Sequence, residues 1–237
     1  MRVVIVLSVL GLGVALTGCG AAPSASDGTP AARKAQGTLR LTRLQASRMA
    51  SAMLIQPSDL PDWMKTTLAD AEVPASCFRV GGPIVRALSQ AESAFKNEDE
   101  AAVAASFAVV FSSEPKARRW FGGAARMDTK RGRQCLSESF RSGVSRGGAR
   151  AEAPRIGKIR YRVGARSWGV RMSGRVHKGA RTARIHLSVV AIEQGQAVAL
   201  IFVGQAFRPF PRASEVRLAR AVATRMMRAQ DAFREDA

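Results

Sequence analysis

Hydrophobic and polar positions alternate most cleanly in the last third of the chain. Trp168, Val170, Met172 and Val176 are apolar, with Arg171, Ser173, Arg175 and His177 between them, which predicts a strand with one wet face. A turn follows at Lys178-Gly179. Ala183, Ile185, Leu187 and Val189 then alternate with Arg184, His186 and Ser188. Gln194-Gly195 makes a second turn, and Ala197 to Phe202 is almost wholly apolar. Strands joined by short glycine-bearing turns predict an antiparallel meander. Beyond Pro209 and Pro211, Val216, Ala219, Val222, Ala223, Met226 and Phe233 recur at helical steps, away from Arg217, Arg220 and Arg228. The expected fold class is α+β: an antiparallel sheet with helices packed on one face, a C-terminal helix among them.

Upstream the pattern is less regular. Gln45 to Leu54 carries Met49, Met53 and Leu54 at helical spacing, and Pro57-Ser58-Asp59-Leu60-Pro61 forces a turn in which Asp59 bonds local backbone. Residues 62–89 give no clear element. Glu92 to Lys96, the acidic turn Asn97-Glu98-Asp99-Glu100 and Ala101 to Phe111 predict a hairpin, although the alanines of 101–105 fit a helix equally well. Glu114 to Ala125 predicts a helix with Pro115 in its first turn, and a second short helix is expected around Cys135 to Phe140. Ser142 to Ala153, rich in Gly and Arg, reads as a loop.

The N-terminal residues bear on the compartment. Met1-Arg2 is a short positive start, and Val3 to Leu16 is apolar and uncharged. Such a stretch falls well short of the roughly 20 residues that span a bilayer core, and it has the flanks of a secretory leader. Leu16-Thr17-Gly18-Cys19 resembles the bacterial lipoprotein box. That resemblance implies a diacylglyceryl group on the Cys19 thiol and cleavage before it, because stable anchoring takes more than one acyl chain. A plain signal peptide and an uncleaved anchor are the alternatives. Residues 1–18 are thus expected to be a lipoprotein signal peptide, 19–44 a flexible polar tether, and 45–233 one α+β domain. The expected location is the outer face of the cell membrane. With Cys19 assigned to lipid, Cys77 and Cys135 remain, to be read as one disulfide in an oxidising compartment or as two separate thiols.

Composition narrows the function. At 46% hydrophobic and 23% charged, the 237-residue chain is neither a disordered polar chain nor a polytopic membrane protein, and 6% aromatics argue against stacking platforms. Its net charge of +19 is unevenly spread. Residues 59–115 hold 4 basic and 9 acidic side chains, residues 116–192 hold 20 and 3. On the strands read above, Arg171, Arg175 and Arg184 project from the solvent side as a basic face for an anionic partner. A genome rich in Arg codons, a polyanion such as acidic lipid or a cell-envelope polymer, and nucleic acid all account for such an excess. Nucleic acid is the least suited to an exported chain without a recognition module.

Catalytic chemistry finds little footing. His177 and His186 are the only histidines, and they have no third ligand or carboxylate near them in sequence. The chain carries no G-x-S-x-G, H-E-x-x-H or Walker-type loop. No enzyme activity, metal or cofactor is expected.

Residues Ala52 to Pro61, with Cys77, the run Phe107 to Phe111 leading into Glu114-Pro115-Lys116-Ala117-Arg118-Arg119-Trp120, and Cys135, resemble actinobacterial extracytoplasmic sensor-type domains. These occur on a mycobacterial serine/threonine kinase of the H type and as free-standing lipoproteins. The resemblance implies a curved antiparallel sheet with flanking helices, a cleft for a ligand and no catalytic role. The kinase-borne domain has further cysteines where this chain offers one pair. The expected function is therefore a lipid-anchored, non-enzymatic binding lipoprotein whose ligand is an envelope component or small amphiphile. The alternative is a structural or accessory lipoprotein acting through protein contacts, its partner unidentified.

Overall fold

A computed structural model describes residues 40–67 and 86–235. Cys19, Cys77, the leader and most of the tether lie outside the described residues. Among those described, eight strands form one antiparallel sheet: β1 (Met64–Thr66), β2 (Ser89–Asn97), β3 (Ala102–Val110), β4 (Arg150–Ala151), β5 (Arg155–Ile159), β6 (Arg166–Lys178), β7 (Arg181–Gln194) and β8 (Ala197–Ala206). Their order is β1-β2-β3-β8-β7-β6-β4, with β5 also on β6. Four helices accompany them: α1 (Arg43–Ala52), α2 (Glu114–Ala125), α3 (Lys130–Arg146) and α4 (Arg212–Glu235). The α+β class, the β2–β3 hairpin, the meander β6-β7-β8 and the C-terminal helix agree with the hydrophobic pattern.

The helices do not share one face, however. Ala104, Ala108 and Val110 of β3 pack with Met49 of α1 and Leu218, Val222 and Met226 of α4. The alternate positions, Phe107 and Val109, pack with Ala117 and Phe121 of α2 and Leu136 of α3. Successive side chains of a strand point to opposite faces, so α1 and α4 cover one face and α2 and α3 the other. The reason lies in β3 and β8, whose positions are nearly all buried. A continuously apolar strand needs cover on both sides.

Two further expectations change. The short helix near Cys135 is a 17-residue helix, Lys130–Arg146, that runs into the start of the expected loop. Thr129 caps it by accepting from the Gly132 amide at 3.2 Å, and Gly132 is required there because a Cβ would lie 2.4 Å from the Met127 Cα. At α1, Thr42 and Gln45 close a reciprocal capping box. Asp59 does bond local backbone, accepting from the Gln56 amide at 2.8 Å, and it also takes a two-pronged contact from Arg225 of α4 at 3.1 and 2.5 Å.

Two buried carboxylates hold helices to the sheet. Glu215, in the first turn of α4 and 1% exposed, accepts from Tyr161 Oη at 2.9 Å, Arg171 Nη2 at 2.7 Å and Ser188 Oγ at 2.7 Å. Burial, then the Glu215 charge, pushes the Tyr161 hydroxyl well up, so it stays protonated and donates. Glu193 of β7, on the α2 face, is less well served. Arg118 and Arg166 stand 3.7 and 3.6 Å away, and its Oε2 has no hydrogen-bond partner. Burial raises its pKa against the opposing pull of Arg166 and Arg118.

Glu215→Ala is expected to cost about 3 kcal/mol in denaturant unfolding, since removing one partner leaves Arg171 and Tyr161 unpaired. Amide exchange should show α4 losing protection before the sheet does. Glu193 makes stability depend on pH. A carboxyl whose folded pKa lies above its unfolded value contributes stability that is full below the ordinary value and is lost as pH rises through the raised one. Glu193→Gln should flatten that part of the stability profile and leave the chain about 1 kcal/mol more stable at neutral pH. A profile unchanged by the substitution would contradict this.

Candidate functional site

The strand β6 separates two environments. Its even-numbered positions, Met172 and Val176 among them, pack toward Phe140 of α3. Gly174 lies so close to that ring that a Cβ would meet Phe140 at 2.7 Å. The odd-numbered positions share a face with α4, but the α4 contacts reach only as far as the row Arg171–Ser188, where Glu215 sits. Beyond that row the sheet carries Ser173 opposite His186, Arg175 opposite Arg184, and His177 opposite Thr182. On the other flank of β6, Arg155 pairs with Ser173 and Arg150 with His177.

This register gathers arginines around one point. Arg184 is directly opposite Arg175, about 5 Å away between Cβ atoms, and Arg150 and Arg155 are diagonal neighbours of Arg175 on its other flank at about 8 Å. All four side chains are exposed, and none has an ion-pair or hydrogen-bond partner for its guanidinium among the described residues. Glu152, whose amide donates to the Arg175 carbonyl at 2.9 Å, has its carboxylate engaged at 3.0 Å with His177. Like charges directly opposite on a sheet are unfavourable. At 7 Å in water each such pair costs about 0.6 kcal/mol before salt screening.

The sequence-derived trio therefore divides. Arg175 and Arg184 stand open to solvent, whereas Arg171 is half-buried and committed to Glu215, not projecting as a free cation. Its partner is 44 residues away in sequence, which no local pattern reveals. Arg150 and Arg155 join the face because two short strands, β4 and β5, add to the edge of β6. His177 and His186 lie four positions apart along one face and do not meet. Among the described residues no group of three or more His, Cys, Asp or Glu is placed to hold a metal ion.

His186 lies between the paired and unpaired arginines. Burial, then the Arg184 and Arg171 charges, holds its pKa below the usual imidazole value, so it is neutral at pH 7 and offers one N–H. Directly opposite on β8 is Gln205, wholly buried, whose Nε2 donates weakly to the Glu100 carbonyl at 3.4 Å while its Oε1 has no partner. At the end of β8, Phe207 donates its amide to the Arg184 carbonyl at 2.7 Å. It is 62% exposed and sits at φ 71°. A bulky residue in the left-handed region costs about 1–3 kcal/mol and is held there by its surroundings.

The remaining candidates fall elsewhere. Cys135 is half-buried on α3, and its expected partner lies outside the described residues. The acidic turn after β2 is tied into ion pairs, Glu98 with Lys96 at 2.7 Å and Glu100 with Arg208 at 3.3 Å. A solvent-open hollow of about 500 Å³ runs along α4, lined by Arg212, Ala213, Val216, Arg217 and Arg220. No described helix is long and apolar enough to cross a membrane.

No protein-family model and no curated protein matches the chain. Among solved structures, it is similar to the extracellular domain of PknH from Mycobacterium tuberculosis, at 9% sequence identity, with 81% of this chain and 100% of that one covered and a TM-score of 0.44. At that level of likeness no residue role passes from one chain to the other.

Proposed function

We propose that the chain is a lipid-anchored, extracytoplasmic binding module of sensor type, without catalytic activity, that engages an anionic component of the cell envelope. The observation that carries this reading is the open end of the sheet, where Arg150, Arg155, Arg175 and Arg184 share a face and, among the described residues, none of the four guanidinium groups is ion-paired, the one carboxylate beside them, Glu152, being bonded to His177. Folding alone gains nothing from that arrangement, whereas a bound anion turns mutual repulsion into shared attraction. The leader and Leu16-Thr17-Gly18-Cys19 support export and acylation of Cys19. Export in turn favours a Cys77–Cys135 disulfide, which would close a loop of about 59 residues and stabilise the fold by about 4 kcal/mol. An anchor and a basic face act together, since each basic side chain near an anionic surface adds about 1 kcal/mol of attraction.

Mass analysis of the peptide beginning at Cys19, taken from the membrane fraction of producing cells, tests the anchor. The expected result is a diacylglyceryl-modified Cys19 as the first residue, with Cys77 and Cys135 in one disulfide-linked peptide pair. Recovery of unmodified protein from cytosol, leader retained and thiols reduced, would refute the reading.

A further inference from the structure

We propose that the face around Arg175 and Arg184 is a binding site for a phosphate group, gripped from two adjacent strands with Arg150 and Arg155 at its rim and Ser173 and His186 beneath. The inference rests on the reading above as far as the partner is anionic, and it adds the chemistry of the group and the residues that hold it.

The number of guanidinium groups selects phosphate over carboxylate. This chain shows what a carboxylate requires. Asp59 is satisfied by one arginine, Arg225, through two contacts, with the Gln56 amide, and Glu215 by one arginine, Arg171, with two hydroxyl donors. Four arginines on one face of neighbouring strands offer more donors than the two oxygens of a carboxylate use. They suit a group with more anionic oxygens, each accepting from a planar fork. The row beneath supplies neutral donors of the kind that complete such a site. Ser173 offers a hydroxyl, and His186, kept uncharged by burial and then by the Arg184 and Arg171 charges, offers an N–H. The buried, half-satisfied amide of Gln205 lies across from His186, in the same row. Other charges on this face are already engaged: Arg171 with Glu215, and Glu152 with His177. Phe207, exposed and bonded to the Arg184 backbone, stands at the shoulder of the site where an apolar part of a phosphorylated amphiphile would rest.

The chain has only two histidines, so His186 reports on the site directly. Full-length protein in maltoside micelles would be titrated by imidazole NMR at fixed ionic strength. Four additions are compared: inorganic phosphate, glutamate, phosphatidylglycerol doped into the micelles, and phosphatidylcholine doped likewise. His186→Gln assigns the signal. Phosphate bound beside the ring should raise the His186 pKa, and glutamate and phosphatidylcholine should not. A response to inorganic phosphate identifies the phosphate group as sufficient. A response to phosphatidylglycerol alone identifies a lipid head group as the source. Either outcome supports the site.

The double variant Arg175→Gln/Arg184→Gln should raise the half-saturating concentration of the responding probe at least tenfold. Its thermal midpoint without added anion should hold or rise at low salt, since a like-charge pair is relieved, so loss of response cannot be ascribed to misfolding. Lys178→Gln/Arg181→Gln removes the neighbouring cross-strand cation pair on the opposite face and should leave the response intact. Equal responses to glutamate and phosphate, no response to any phosphate probe, or equal loss in both double variants would overturn the proposal. Acylation of Cys19 is read separately by mass, so failure of the anchor and failure of this site are distinguishable.

Discussion

Burial of the central strands on both sides governs the rest of the molecule. β3 and β8 pair over nine positions and bring almost no polar side chain to either face. Such a pair is stable only between two layers of helix, and the chain supplies them as α1 with α4 and α2 with α3. The cover is unequal at the far end of β6 and β7. On one side α3 reaches Met172 and Ile185 through Phe140. On the other, the first turn of α4 is fastened at Arg171 and Ser188 by Glu215, and beyond that row Arg175 and Arg184 stand exposed among the described residues. The clean alternation of β6 follows from this difference, with apolar residues toward α3 and Ser173, Arg175 and His177 toward solvent.

The net charge of +19 conceals two kinds of arginine. Arg171 and Arg225 are fastened to buried or half-buried carboxylates and tie α4 to the sheet and to the turn after α1. Arg150, Arg155, Arg175 and Arg184 are fastened to nothing among the described residues. A genome that favours Arg codons accounts for choosing Arg over Lys at solvated positions. It does not account for placing two of them directly across a ladder, where a neutral residue on either strand would be better for the fold.

Much of this architecture was legible in the sequence because the signals are local. Glycine turns fix the register of the meander, and Gly179 and Gly195 do adopt left-handed conformations there. Arg175 and Arg184 could be placed on one face by parity alone. What was not legible depends on distant partners. Arg171 looks like its neighbours until Glu215, 44 residues on, reaches it. Helix cover on both faces was indicated by the run of Val103 to Phe111, which is apolar apart from Ser106 and shows no alternation, yet a run of that length can also be a buried helix. The extent of α3 was obscured by its Arg, Ser and Gly content, although Leu136, Phe140 and Val144 recur every fourth position and face the sheet.

Where the arginines stand matters as much as how many there are. All four are on strands whose backbones are fixed by ladder hydrogen bonds, so an arriving anion orders only side chains and need not organise a loop. The repulsion among them is accepted by a fold secured at other points: the Glu215 network at the head of α4, the Asp59–Arg225 clasp and the two-sided core. Each fastening keeps α4 along its own half of the sheet, and among the described residues the four arginines stay exposed. A helix longer toward its N-terminus would cover Ser173 and His186, and the face would cease to exist. The same contact that closes the core at Arg171 therefore sets the boundary at which the open, cationic surface begins.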